Sequence, residues 1–292
     1  MRNVASIIIA PLVVLILVLS SAYLFYRWEW KAFIIFIPII AVTVYPGSLS
    51  GDVATFLAPI ILGGTGGYTF KKEKSLMFYT LIVSLSLTVL FSANYYQLKL
   101  VENIDILDQS KVEMMKMIET SKVPEDQKKE LLGDFDMWLE MMKDIIPFGT
   151  FIYSVLFSAL SFYVVKSFLQ RTVGAKAISG LELFRLNDYF IFVLIAGWAV
   201  VLLIDKSDYY IPYLTGLNCA LIATLLYIIQ SLGVIKFYLM KRGFPPYLAP
   251  LFLVLLVLMG KEVTAFGAIL LAGLGTLDFW ADFRKLDKPK PE

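Results

Sequence analysis

Nine uncharged apolar runs, parted by short charged loops, decide what this chain can fold into. They span Asn3–Tyr26, Ala32–Gly51, Val53–Phe70, Ser75–Leu98, Ile145–Val165, Tyr189–Ile204, Tyr209–Ile235, Gly243–Gly260 and Val263–Leu277. A helix rising about 1.5 Å per residue needs roughly 20 residues to cross a hydrocarbon layer of about 30 Å. Most runs meet that length. The sixth and ninth are short and must borrow flanking residues whose charged heads reach the interface. In lipid every backbone polar group must be satisfied within the chain, and these runs read as helices. The expected fold is therefore all-α, a polytopic transmembrane bundle of about nine spans. Met1-Arg2, the apolar stretch and Ser20-Ser21-Ala22 loosely resemble a cleaved signal. The stretch exceeds a typical signal core and continues through Tyr26, so it reads as a span; cleavage would leave eight.

Charge places the loops. Lys and Arg number two in Arg27–Lys31, three in Lys71–Lys74, four in Lys166–Arg185 and three in Lys236–Arg242, with more in the tail. The intervening short loops hold at most one each, at Lys206 and Lys261. That alternation predicts an outside N-terminus and a cytoplasmic C-terminus in a bacterial inner membrane. The divisions that follow are 1–98 with four spans, 99–144 outside the membrane, 145–286 with five spans, and a tail at 287–292. In the run from Gly243, Pro245 and Pro246 mark the expected helix start.

The insertion 99–144 carries seven Lys/Arg against twelve Asp/Glu, a net of −5. Ile104, Leu107, Met114, Met115 and Ile118 recur at helical spacing, as do Leu131, Phe135, Trp138, Leu139 and Met142. Pro124 before Glu125 and Asp126 signals a helix start. Two amphipathic helices, 100–120 and 124–146, are expected to turn at Lys122-Val123. The hairpin either stands off the membrane or lies along it. Six of the ten methionines sit here. Soft thioethers suit Cu(I), but with no histidine or cysteine beside them an adaptable apolar seam, between the helices or toward a protein partner, is the preferred reading.

The whole chain contains no histidine, and its single cysteine, Cys219, lies within an apolar run. The commonest acid/base and metal ligand is thus missing, and a disulfide framework is excluded. A net charge of +2 gives no nucleic-acid footprint. No catalytic residue, metal or cofactor is assigned, and the chain is expected not to be an enzyme. Polar side chains at bilayer depth are the natural ligand candidates. Asn218 falls about 15 Å inside its span and Gln230 about 18 Å further on. The stretch Gly63-Gly64-Thr65-Gly66-Gly67 lacks the Lys-Ser/Thr of a phosphate loop. It reads as close helix packing or as an unwound helix, in which Gly64 and Gly66 could line a cavity. Asp278 and Asp282, four apart, are expected on one helix face. They could hold a cation or work as an acid/base pair, or they could anchor the helix end with Arg284 or the Lys236–Arg242 loop as counter-charge.

The block Gly273-Leu-Gly-Thr-Leu-Asp278-Phe-Trp280-Ala-Asp282-Phe-Arg284 resembles the closing motif of the YybS-like bacterial membrane proteins. So do Ile229-Gln230-Ser-Leu-Gly-Val-Ile-Lys236 and the charged insertion ending at Ile146-Pro147. The resemblance implies a fold similar to the substrate-binding subunits of energy-coupling-factor transporters. It also implies a small or amphiphilic molecule held within the bundle. Those subunits dock their coupling protein through an Ala-x-x-x-Ala stripe; Ala5, Ala10 and Ala22 do not have that spacing. The leading expectation is a transport component binding a ligand near Asn218 and the glycine-rich third span. The alternative is an envelope assembly protein acting through the 99–144 hairpin. Third is an intramembrane enzyme using Asp278 and Asp282.

Overall fold

The computed structural model describes residues 4–44, 53–100, 103, 105–120, 125–176, 178 and 180–285. Among them every regular element is helical. The helices are α1 (Val4–Trp28), α2 (Phe33–Val44), α3 (Val53–Lys71), α4 (Leu76–Leu100), α5 (Ile106–Thr120), α6 (Glu125–Asp144), α7 (Ile146–Val173), α8 (Phe190–Leu203), α9 (Tyr210–Lys241), α10 (Leu248–Leu258) and α11 (Lys261–Ala281). Short 3-10 turns cover Glu29–Ala32 and Leu181–Leu183. Each of the nine apolar runs has become a helix. Among the described residues five stretches are by length and composition fit to cross a membrane: Leu12–Pro38, α4, α7, α9 and α11. Helices α8 and α10 are shorter, with 14 and 11 residues. The last of these begins at Leu248 rather than at Pro245, because the Pro-Pro pair sits in the preceding turn.

Two compact units divide the chain: one holds 1–72 and 80–176, the other 73–79 and 177–292. In the first, α1 lies along α3. Val18, Ser21, Ala22 and Phe25 form the buried face of α1. Opposite them stand Gly63 and Gly67, four residues apart. A Cβ at Gly63 would overlap Ser21 Oγ and the Val18 carbonyl, and one at Gly67 would overlap the Ala22 carbonyl. With no hydrophobic drive between helices in lipid, such small-residue contact is what holds spans together. The glycine stretch is therefore a packing seam within a continuous helix, α3. The unwound alternative is not what forms, because α1 fills the space that unwinding would open.

Helices α4 and α7 meet through hydroxyls. Ser84 Oγ donates to Ser158 Oγ (3.4 Å), and Ser92 Oγ pairs with Thr150 Oγ1 (3.1 Å), in antiparallel register. Helices α5 and α6 pair as the expected hairpin, with Lys111 on Asp136 (2.7 Å) and Lys143 on Asp108 (3.6 Å). The hairpin's first helix starts at Ile106, not at 100. Asp105 caps it, its Oδ1 accepting the Leu107 and Asp108 N–H groups (2.9 and 3.4 Å) while Oδ2 holds Lys99 (2.8 Å). The turn expected at Lys122-Val123, Pro124 and the tail 287–292 lie outside the described residues. The hairpin methionines split between two faces. Met114, Met115 and Met142 are half-buried, whereas Met117, Met137 and Met141 are exposed.

In the second unit α9 is the axis. Its 32 residues, about 48 Å long, pack against α8, α10, α11 and the Leu181–Leu183 turn. Tight approach to α11 depends on Gly275, where a Cβ would overlap the Tyr227 carbonyl.

Candidate functional site: a buried polar knot and its pocket

Helix α11 ends at Ala281 and the chain turns back at once. Asp282 takes a left-handed conformation (φ 40°, ψ 55°), and its N–H donates to the Asp278 carbonyl at 3.1 Å. Aspartate tolerates that conformation better than most residues. The reversal brings Arg284 over Asp278, and Arg284 Nη2 donates to Asp278 Oδ2 at 2.6 Å. Both side chains are almost wholly buried. Arg284 Nη1 donates to the carbonyls of Glu182 and Phe184, each at 2.9 Å. A strap, residues 180–186, is thereby tied to the end of α11.

Gln230 of α9 completes the knot. Its Oε1 accepts the Leu186 N–H (2.9 Å), and its Nε2 donates to the Gly275 carbonyl (3.1 Å) and to Asp278 Oδ2 (3.2 Å). The amide orientation follows from this network, because the opposite one would set its oxygen against two acceptors. Two further pairs frame the strap: Lys236 on Glu182 (2.7 Å) and Arg185 on Asp282 (3.6 Å). Burial alone pushes the Glu182 carboxyl up, but Lys236 and the backbone N–H groups of Glu182 and Gly180 outweigh that and hold it below its usual range.

Beside the knot lies a pocket of about 420 Å³ lined by Val234, Ile235, Tyr238, Leu239, Arg242, Phe244, Leu274 and Phe283. Its walls are apolar apart from the Tyr238 hydroxyl and the Arg242 guanidinium. The hydroxyl is occupied, donating to the Phe283 carbonyl at 2.7 Å. Phe283 sits between Asp282 and Arg284, so the knot fixes one wall of the pocket. A second cavity, about 450 Å³, is bounded by Asn187, Asp188, Tyr189, Phe192 and Phe279.

The structure thus joins three of the residues singled out in the sequence, Gln230, Asp278 and Arg284, and sets Asp282 next to them. It corrects the expected shared face of Asp278 and Asp282: the second aspartate lies past the helix end, and each carboxylate has its own arginine. Asn218 is elsewhere on α9, twelve residues or about 18 Å before Gln230. It is buried, and its Nδ2 donates to the Leu214 carbonyl of its own helix (2.9 Å). Gly64 and Gly66 belong to the first unit and are buried in α3; Gly64 faces the Phe25 ring. Sequence reasoning missed Glu182 and Arg185 as partners, and it offered the Lys236–Arg242 loop to the aspartates, whereas Lys236 pairs with Glu182. One signal existed: Glu182 is the lone carboxylate among four basic residues between Lys166 and Arg185.

No curated protein and no solved structure matches the chain. A family described as "Predicted membrane protein (DUF2232)" matches residues 3–279. Its extent takes in most of both units and all but the last two residues of α11, and the chain is therefore a member of the DUF2232 family of predicted membrane proteins.

Proposed function

We propose that this protein is a transport-related membrane component that holds an amphiphilic molecule in the pocket beside the knot. The observation carrying this reading is the lining itself, apolar walls with one cationic group. A hydrocarbon portion would rest on Val234, Ile235, Leu239, Leu274 and Phe283, and an anionic end would meet Arg242. The volume suits a small ligand, in the range of about 300–1,000 Å³ usual for such sites. The alternation of basic loops supports an inner-membrane setting with Arg242 on the cytoplasmic side. The resemblance to YybS-like proteins and to transporter substrate-binding subunits points the same way. The role proposed is binding, not catalysis: each knot carboxylate is neutralised by an arginine, which suits a fixed scaffold better than an acid/base pair. With no nucleotide motif in the chain, energy for transport would come from a partner or an ion gradient.

The test is native mass spectrometry of the full chain extracted in mild detergent. A reproducible anionic amphiphile is expected on the wild type. Leu274→Trp, which fills the pocket, should displace it, and Arg242→Gln should weaken it. Asn218→Ala should leave it in place. Retention by Leu274→Trp, or loss on Asn218→Ala alone, would refute the assignment.

A further inference from the structure

At the junction between α6 and α7 Ile145 departs from helical geometry (φ −110°, ψ 20°), but hydrogen bonds bridge it. Ile145 N–H is shared between the Met141 and Met142 carbonyls (3.3 and 3.2 Å), and Gly149 N–H donates to the Ile145 carbonyl (2.8 Å), so the two helices stay close to one phase. Side-chain directions can therefore be followed from one helix into the next. Along α7 the exposed apolar residues include Ile152, Leu156, Leu160 and Tyr163, spaced three or four apart, on a helix apolar and long enough to span a bilayer. Counted backward at the same spacing, that stripe passes through Gly149 and Ile145 to Met141 and Trp138 of α6. Met137, Trp138 and Met141 are 61%, 48% and 58% exposed. The less exposed side of α6 is a different one, formed by Leu132, Phe135, Leu139 and Met142.

Depth follows from the charges. Asp144 and Lys166 bracket the uncharged part of α7, 21 residues or roughly 30 Å of helix. Asp144 thus marks one hydrocarbon boundary. Met141 lies about 4.5 Å beyond it along the axis and Trp138 about 9 Å. The headgroup layer is about 5–7 Å thick on each side. With α6 tilted about 20° toward its exposed side, as is ordinary for such helices, the Met141 backbone lies within that layer and the Trp138 backbone at about 8.5 Å, from where its side chain on the lowered face reaches it. Asp134, on the same side one turn further out, bars deeper immersion. Tryptophan and methionine suit this zone, one by its amphipathic ring and the other by its pliancy.

We infer that the Met137–Trp138–Met141 face of the hairpin is a phospholipid contact, a continuation of the lipid-facing stripe of α7 into the adjoining headgroup layer. The hairpin then rises from the membrane with the base of this face in the headgroup layer, and presents its acidic side, with Asp136 and Glu140, to water.

Site-directed spin labelling tests this in the full chain. Cys219→Ser provides a cysteine-free background, and labels are placed by Trp138→Cys, Met141→Cys and, at the same height on the polar side, Glu140→Cys. The protein is reconstituted in phosphatidylcholine–phosphatidylglycerol nanodiscs. Labels at 138 and 141 should be severalfold more accessible to oxygen relative to a water-soluble nickel chelate than the label at 140, and should broaden with headgroup-labelled lipid. Equal nickel access at all three positions would overturn the inference. So would shielding of 138 and 141 from both reagents, which would mean a protein partner or a second copy covers the face. Two independent positions on the face guard against a label that disturbs folding.

Discussion

Arg284 is the residue whose loss should cost the second unit most. Its guanidinium donates to one carboxylate oxygen and to two strap carbonyls, and its side chain is fully buried. Arg284→Met keeps most of the stem and removes every donor. Asp278 is then left buried with Gln230 as its remaining side-chain donor among these contacts, at 3.2 Å. Two carbonyls lose their partners as well, each worth about 1–3 kcal/mol when orphaned. Removing one member of a buried ion pair costs about 3–5 kcal/mol, and that range is expected here. Adding Asp278→Leu to Arg284→Met removes the stranded charge, so the double variant should be more stable than Arg284→Met alone, with the orphaned carbonyls as its residual cost. Equilibrium unfolding of the full chain in mixed micelles reads the stability. Tryptic cleavage after Arg185 reads the strap locally and should accelerate in Arg284→Met. A loss below about 1 kcal/mol, or single costs that simply add in the double variant, would refute the reasoning.

Gly67→Ala should part α1 from α3, since its methyl would overlap the Ala22 carbonyl; a loss of about 1–3 kcal/mol or more is expected in the same unfolding assay, and a neutral result would remove the glycine seam from the account. Burial pushes the Asp105 carboxyl up, but the Lys99 ammonium and the Leu107 and Asp108 N–H groups outweigh it and hold it below its usual value. Stability from a depressed carboxyl is present above the unfolded value of about 3.9 and is lost as pH falls through the lower folded one. Proteolytic protection at the start of α5 should therefore decline as pH falls below about 4, and Asp105→Ala should cost about 1 kcal/mol at neutral pH through loss of the cap.

Much of this fold was legible because apolar run length and lipid physics leave few alternatives. All nine runs became helices, and the amphipathic hairpin closed where Ile118 and Leu139 recur at helical spacing. Less legible was anything that depends on a chain reversal. The start of α5 moved to Ile106 because Asp105 caps it, and a cap is a local hydrogen-bond choice that apolar periodicity does not report. Asp278 and Asp282 looked like neighbours on one face because a helix was extrapolated through both. The left-handed turn at Asp282 cannot be read from a period of 3.6. Asn218 drew attention by its depth alone, whereas Gln230, nearer a span end, has the strap to bond. Depth marks a polar residue as costly; the neighbouring backbone determines what it does.

The block from Gly275 to Arg284 can then be understood position by position. Gly275 lets α11 reach the backbone of α9, close enough for Gln230 to bond both its carbonyl and Asp278. Asp278 is placed one turn later, where a carboxylate at a helix C-terminus opposes the dipole and requires a cation. Asp282 reverses the chain so that Arg284 can be that cation, and Arg185 secures the reversal. Phe283, carried between them, becomes a wall of the pocket, its carbonyl held by Tyr238. A buried ion pair is weak evidence for stability in itself, and here its consequence is positional. The same contacts that neutralise Asp278 fix the strap and the pocket wall together, so any movement of the strap that freed Arg284 would also move Phe283. The binding proposed for the pocket would therefore be coupled to the seating of the strap through two adjacent residues.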